Sequence, residues 1–94
     1  MNDLASLHVT VYGRVQGVFF RAFVERRVEE LDLTGFVRNL HDREAVEVQA
    51  EGERKQLEKL IDYLKVGPHA ARVEKMATDW SEYTGSYSGF SIRY

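Results

Sequence analysis

Apolar residues recur along this chain in two rhythms. Near the start, Leu7, Val9 and Val11 alternate with His8 and Thr10, the period of a half-buried strand. The period then changes. Phe20, Phe23, Val24, Val28 and Leu31 fall at helical spacing, with Glu25, Arg26, Arg27, Glu29 and Glu30 on the other side. That pattern predicts an amphipathic helix of about three turns. A run "GFVRNL" opening at Gly35 predicts a second strand, "HDRE" a loop, and "AVEVQAEG" a third strand. In that third strand Val46, Val48 and Ala50 turn inward, and Glu47, Gln49 and Glu51 outward. Leu57, Leu60, Ile61 and Leu64 form a second helical stripe, stopped by Val66, Gly67 and Pro68. "ARVEKMATDW" reads as a fourth strand despite weak alternation. "EYTGSYSG" is a turn-rich connection, and "FSIRY" a short last strand.

The element order is βαββαβ with one short strand added. It predicts an α+β protein, a ferredoxin-like two-layer sandwich built on the split βαβ pattern. Right-handed crossovers place both helices on one face of an antiparallel sheet. One apolar stripe per helix and one apolar face per strand suit two layers. This architecture hosts many functions, so the chemistry has to come from particular residues.

Composition narrows that chemistry. The 94 residues predict a single domain, 1–94, and an apolar fraction of 44% is that of a globular chain. There is no cysteine, which removes disulfides, thiolate metal sites and a cysteine nucleophile together. A net charge of −2 argues against a general nucleic-acid binder. The opening "MNDLASLHV" has no basic region followed by a long apolar stretch, and no run approaches membrane-spanning length. A soluble cytoplasmic protein is expected, with a monomer as the default state.

One stretch stands out against this background: "GRVQGVFFR", Gly13 to Arg21, between the first strand and the first helix. A Gly-punctuated bend at a helix start presents backbone N–H groups to an anion, and Arg21 adds a fixed positive charge. An arginine in a first helical turn opposes the helix dipole unless an anion is also there. An ordinary strand-to-helix turn is the plainer alternative. Other chemistries are excluded. A nucleotide phosphate loop would need Lys where Val18 follows Gly17, and the G-x-G-x-x-G fingerprint is absent. His8, His41 and His69 are scattered without metal-ligand spacing. Glu29 and Glu30 are neighbours on a solvated helix face and no catalytic carboxylate pair. The third strand carries no aromatic residue and two outward glutamates, which rules out the base-stacking surface of an RNA-recognition module. Asn39, near the end of the second strand, reads by itself as a strand terminator before a turn.

"GRVQGVFFRAFV", followed by "GFVRNL", "VEVQAEG" and "GPHAARV", closely resembles the acylphosphatase family, over nearly the whole chain from Leu7 to Tyr94. The resemblance implies hydrolysis of a carboxyl-phosphate mixed anhydride to a carboxylate and inorganic phosphate, with no cofactor and no metal. It implies that Arg21 holds the phosphate with backbone amides of the loop Val15, Gln16, Gly17, Val18, Phe19 and Phe20. It further implies that Asn39 positions the attacking water, and that the substrate's own phosphate takes the water's proton. Arg14 has no direct phosphate role in this reading. One departure concerns the turn after Asn39. His41 stands where the family usually has Pro, Arg43 where it has Gly, and the turn is one residue longer before Val46. A bulge or a longer loop is expected there. The implied partners are a small acyl phosphate and inorganic phosphate, with no nucleic acid and no membrane. A non-catalytic anion-binding or regulatory module of the same fold is the alternative. Since no zinc-finger sequence follows Tyr94, a free-standing enzyme is expected in preference to the acylphosphatase-like domain of a larger carbamoyl-phosphate-using maturation protein.

Overall fold

The computed structural model describes residues 3–94. Along the chain it forms β1 (Leu4–Arg14), α1 (Phe20–Glu30), β2 (Thr34–Leu40), β3 (Ala45–Glu53), α2 (Arg54–Val66), β4 (Arg72–Ser81) and β5 (Phe90–Arg93). The predicted elements are present, with ends that differ by a few residues. β1 runs beyond its alternating stretch and carries the chain directly into the Gly-rich bend.

The five strands make one sheet in the order β4-β1-β3-β2-β5. β1 pairs antiparallel with β3 and β4, and β2 antiparallel with β3. Both helices lie on one face, α1 over β2 and β5, and α2 over β1, β3 and β4. Their apolar stripes meet the inward side chains of the strands. Leu7, Val9, Val11, Val37, Val46, Val48, Val24, Val28, Leu57, Leu60 and Leu64 have no exposed surface. Burying each such side chain stabilises the fold by roughly 1.5–3 kcal/mol. The two-layer α+β architecture is therefore the expected one.

The sheet is mixed, and this corrects the antiparallel sheet expected from the pattern. β5 pairs parallel to β2, with Gly35 opposite Phe90 and Arg38 opposite Arg93. The connection Glu82–Gly89 explains the direction. It carries the chain from the β4 edge to the β2 edge and arrives where β2 begins, so β5 must run the same way as β2. Consequently the chain end reaches the same end of the sheet as Asn39.

Glu51 is the second correction. It faces away from the helices as expected, yet only 1% of it is exposed. The connection covers it. One carboxylate oxygen accepts bonds from the Thr84 backbone N–H and hydroxyl at 3.1 and 2.8 Å, and the other from the Gly85 N–H at 3.0 Å. On the same sheet face Glu47 joins three strands, bonded to His8 of β1 at 2.7 Å and to Arg38 of β2. Burial pushes the Glu51 carboxyl up, but the hydrogen bonds from Thr84 and Gly85 outweigh it and hold the group below its ordinary range.

A buried carboxylate that accepts three hydrogen bonds contributes most while ionised. Glu51→Gln turns an N–H group toward backbone donors, and should cost about 1–3 kcal/mol at neutral pH. Because the folded carboxyl titrates below its unfolded value, its contribution is present above the unfolded pKa and is lost as pH falls through the folded one. The gap in unfolding free energy between the natural protein and Glu51→Gln should therefore narrow as pH drops below the ordinary glutamate range. Chemical denaturation of both proteins at neutral and acidic pH checks this; a gap that widens toward acid would refute it.

Candidate active site

The bend between β1 and α1 is held at both ends. Val15 is fully buried and Phe20 is 2% exposed, with the Phe20 ring 6.0 Å from that of Phe23. Just before and between these anchors the backbone takes conformations that L side chains avoid. Gly13 has φ 131, and a Cβ there would stand 2.2 Å from the Arg72 carbonyl oxygen of the adjacent β4. Gly17 has φ 70. Glycine meets both demands at no steric cost. Phe19 also lies in the left-handed region, with φ 61 and ψ 25, and the residue is 86% exposed. A bulky residue in that conformation is uncommon, and such backbone clusters at functional sites.

Phe19 is the N-cap of α1. No side chain caps the helix, and no acidic residue occupies its first turn. The first N–H groups of an α-helix have no intrahelical acceptor, so this end carries partial positive charge. Arg21 adds a full charge in the same turn. Among the described residues no carboxylate forms an ion pair with Arg21. Its guanidinium instead lies 4.7 Å from the centre of the Tyr94 ring. Cation–π contact of this kind steadies a guanidinium without neutralising it.

Asn39 comes from β2. It pairs with Val46 and shares the helix-facing side of the sheet with Gly35 and Val37, where an apolar side chain would be usual. Its Oδ1 is buried and accepts no hydrogen bond from any described residue. Buried acceptors without a partner are rare, because desolvation costs free energy that no bond returns. Strand termination alone does not account for such an oxygen.

These groups share one cleft of about 320 Å³. Val15, Gly17, Phe19, Phe20 and Arg21 line it from the bend, Asn39 from β2, and Ile92 and Tyr94 from the end of the chain. Two bend residues direct their side chains elsewhere. Val18 packs against the core. Gln16 turns toward the β2–β3 turn, where its Nε2 lies 2.9, 3.0 and 2.8 Å from the carbonyl oxygens of Leu40, Arg43 and Ala45. Arg14 stands outside the cleft, exposed and opposite Arg72 of β4. Ile92 and Tyr94 were not legible as site residues. Their membership follows from the parallel pairing of β5, which a four-residue strand does not announce.

With an anion-ready helix start, a free arginine and an unpartnered amide on one cleft, the likeness to known proteins is specific. The Acylphosphatase family model matches residues 7–92. An acylphosphatase of Salinibacter ruber is 47% identical over 83 residues, covering 88% of this chain and 86% of that protein. One from Roseiflexus sp. is 45% identical over 92 residues, covering 98% of each. The crystal structure of acylphosphatase from Bacillus subtilis superposes with a TM-score of 0.91 at 34% identity, covering 98% of this chain and all of that one. Fold, cleft and sequence agree: the chain belongs to the acylphosphatase family.

Proposed function

We propose that this protein hydrolyses acyl phosphates to a carboxylate and inorganic phosphate at the cleft of Arg21 and Asn39, without a metal. The observation that carries the reading is that Asn39, whose Oδ1 is buried and unpartnered, lines the same cleft as Arg21 and an uncapped helix start. The phosphoryl group binds at the positive end. Arg21 offers a planar fork for two phosphate oxygens. Backbone N–H groups of Gln16 to Phe20 supply fixed donors where charge builds in the transition state; the Val15 N–H, also expected as a donor, is already bonded to the Gly13 carbonyl at 3.0 Å. The Asn39 side chain both donates and accepts, so it holds a water in one orientation, opposite the leaving oxygen.

The sparse residue set suits this reaction. The leaving carboxylate has a conjugate acid with a pKa of about 4, so it departs without a general acid. Phosphoryl transfer then rests on positioning and electrostatic stabilisation. The substrate's own phosphate accepts the water's proton. Among the described residues no three His, Cys, Asp or Glu side chains are grouped so as to hold a metal ion. The proposed setting is a cytoplasmic monomer with a small-molecule substrate and neither nucleic acid nor membrane as partner. In support, the net charge is −2, and no helix among the described residues is long and apolar enough to cross a membrane.

Three results test the reading. Arg21→Gln keeps a polar side chain but removes charge and fork, and should nearly abolish turnover and phosphate binding. Each lost charge-assisted bond is worth about 1.5–3 kcal/mol in the bound ground state. Arg14→Gln should stay close to the natural protein, and equal damage in the two folded variants would show the wrong arginine was chosen. Asn39→Ala should lower kcat by roughly 10²–10³, the loss typical of one preorganised polar group, and leave the phosphate Ki nearly unchanged. A folded Asn39→Ala enzyme with normal kcat would remove the water-orienting role. Inorganic phosphate should inhibit competitively, sulfate more weakly, and turnover of acetyl phosphate should persist in EDTA. Activity lost to chelation and restored by a divalent cation would overturn the metal-free mechanism.

A further inference from the structure

The β2–β3 turn, His41–Glu44, is exposed throughout and directly follows the strand end that carries Asn39. Its own bonds are few. Arg43 N–H donates to the Leu40 carbonyl at a long 3.4 Å, and Ala45 N–H to the Arg43 carbonyl at 2.9 Å. The Asp42–Arg43 ion pair at 3.0 Å joins two exposed neighbours and ties the turn only to itself. Two ties reach it from the bend. Gly13 N–H donates to the Glu44 carbonyl at 3.2 Å. The Gln16 side-chain amide reaches the carbonyls of Leu40, Arg43 and Ala45, all within 3.0 Å. That amide has two hydrogens for three acceptors, so one hydrogen is shared. A single side chain from the phosphate-facing bend thus gathers both strand ends and the turn between them.

We propose that Gln16 is a positioning residue: its side chain is a strut that fixes the β2–β3 turn to the bend and thereby sets Asn39 relative to Arg21. The proposal rests on the water-orienting role given to Asn39. Its physical basis is rigidity. Arg21 and Asn39 belong to different elements, and hydrolysis needs their separation held to a fraction of an ångström; an error near 1 Å can cost about 100-fold in rate. The strut crosses the gap between those elements at the site end of the sheet. The Gln16 side chain does not line the cleft, so it acts on chemistry through Asn39 and not on phosphate affinity.

The test is a kinetic cycle with Gln16→Met, which keeps the length and removes the donor, and Asn39→Ala, on acetyl phosphate. Gln16→Met alone should lower kcat by roughly 10- to 100-fold, with the Ki for inorganic phosphate changed less than about threefold. In the Asn39→Ala background the same substitution should add less than about a twofold further loss, because the strut then has nothing to position. Normal kcat in Gln16→Met, while Asn39→Ala is impaired, overturns the strut alone. A parallel rise in phosphate Ki, or a full multiplicative loss in the double variant, overturns it too, since Gln16 would then act on the bend or the fold. Normal kcat in Asn39→Ala defeats the underlying reading instead, and the strut with it. Should Gln16→Met not fold, Gln16→Glu replaces it: its carboxylate cannot donate, but its protonated form can, so kcat relative to the natural enzyme should rise as pH falls. A folded Gln16→Glu without that recovery, or failure of both variants to fold, refutes the proposal.

Discussion

Val15 and Phe20 are buried on either side of a bend that is otherwise largely exposed, and the groups at the cleft take their places from those two anchors. Apolar burial supplies the force at each end. Between them the backbone turns with positive φ at Gly17 and Phe19. Phe19 is held in that uncommon conformation because Phe20 must enter the core and start α1. As a result α1 starts at the cleft, without a capping side chain. The uncapped helix start at the cleft is thus a consequence of core packing.

The sheet brings the rest of the cleft to this bend. Asn39 occupies an inward position on β2 that the apolar pattern would give to a valine or leucine. Placing an amide there leaves Oδ1 buried without a protein donor. Such an arrangement is costly to stability in isolation. The parallel β5 then closes the far wall, with Tyr94 against the Arg21 guanidinium. Glu51 lies at the opposite end of the sheet and fastens the connection that makes this return possible. Two polar side chains outside the cleft, Glu51 and Gln16, therefore organise segments that line it.

Much was legible from the chain alone. Periods of two and 3.6 located the strands and helices, because each element has one apolar side and only one layer to bury it against. The bend was legible as a candidate anion site from its glycines and from an arginine set against the helix dipole. Asn39 gained a role only through resemblance to the family, since asparagine before a turn has an ordinary explanation. Glu51 illustrates a different limit. Alternation placed it correctly on the face away from the helices, but a strand's period cannot say whether a distant connection will cover that face.

What the sequence by itself determined was local: which residues face inward, where the backbone needs glycine, and which element order follows. These are set by neighbours a few residues apart, and periodicity records them. The tertiary structure alone decided the parallel pairing of β5, the burial of Glu51, the meeting of Asn39 and Arg21 on one cleft, and the reach of Gln16 to the β2–β3 turn. Each depends on segments separated by 18 or more residues in the chain meeting in space, through backbone hydrogen bonds and desolvation that leave no periodic trace.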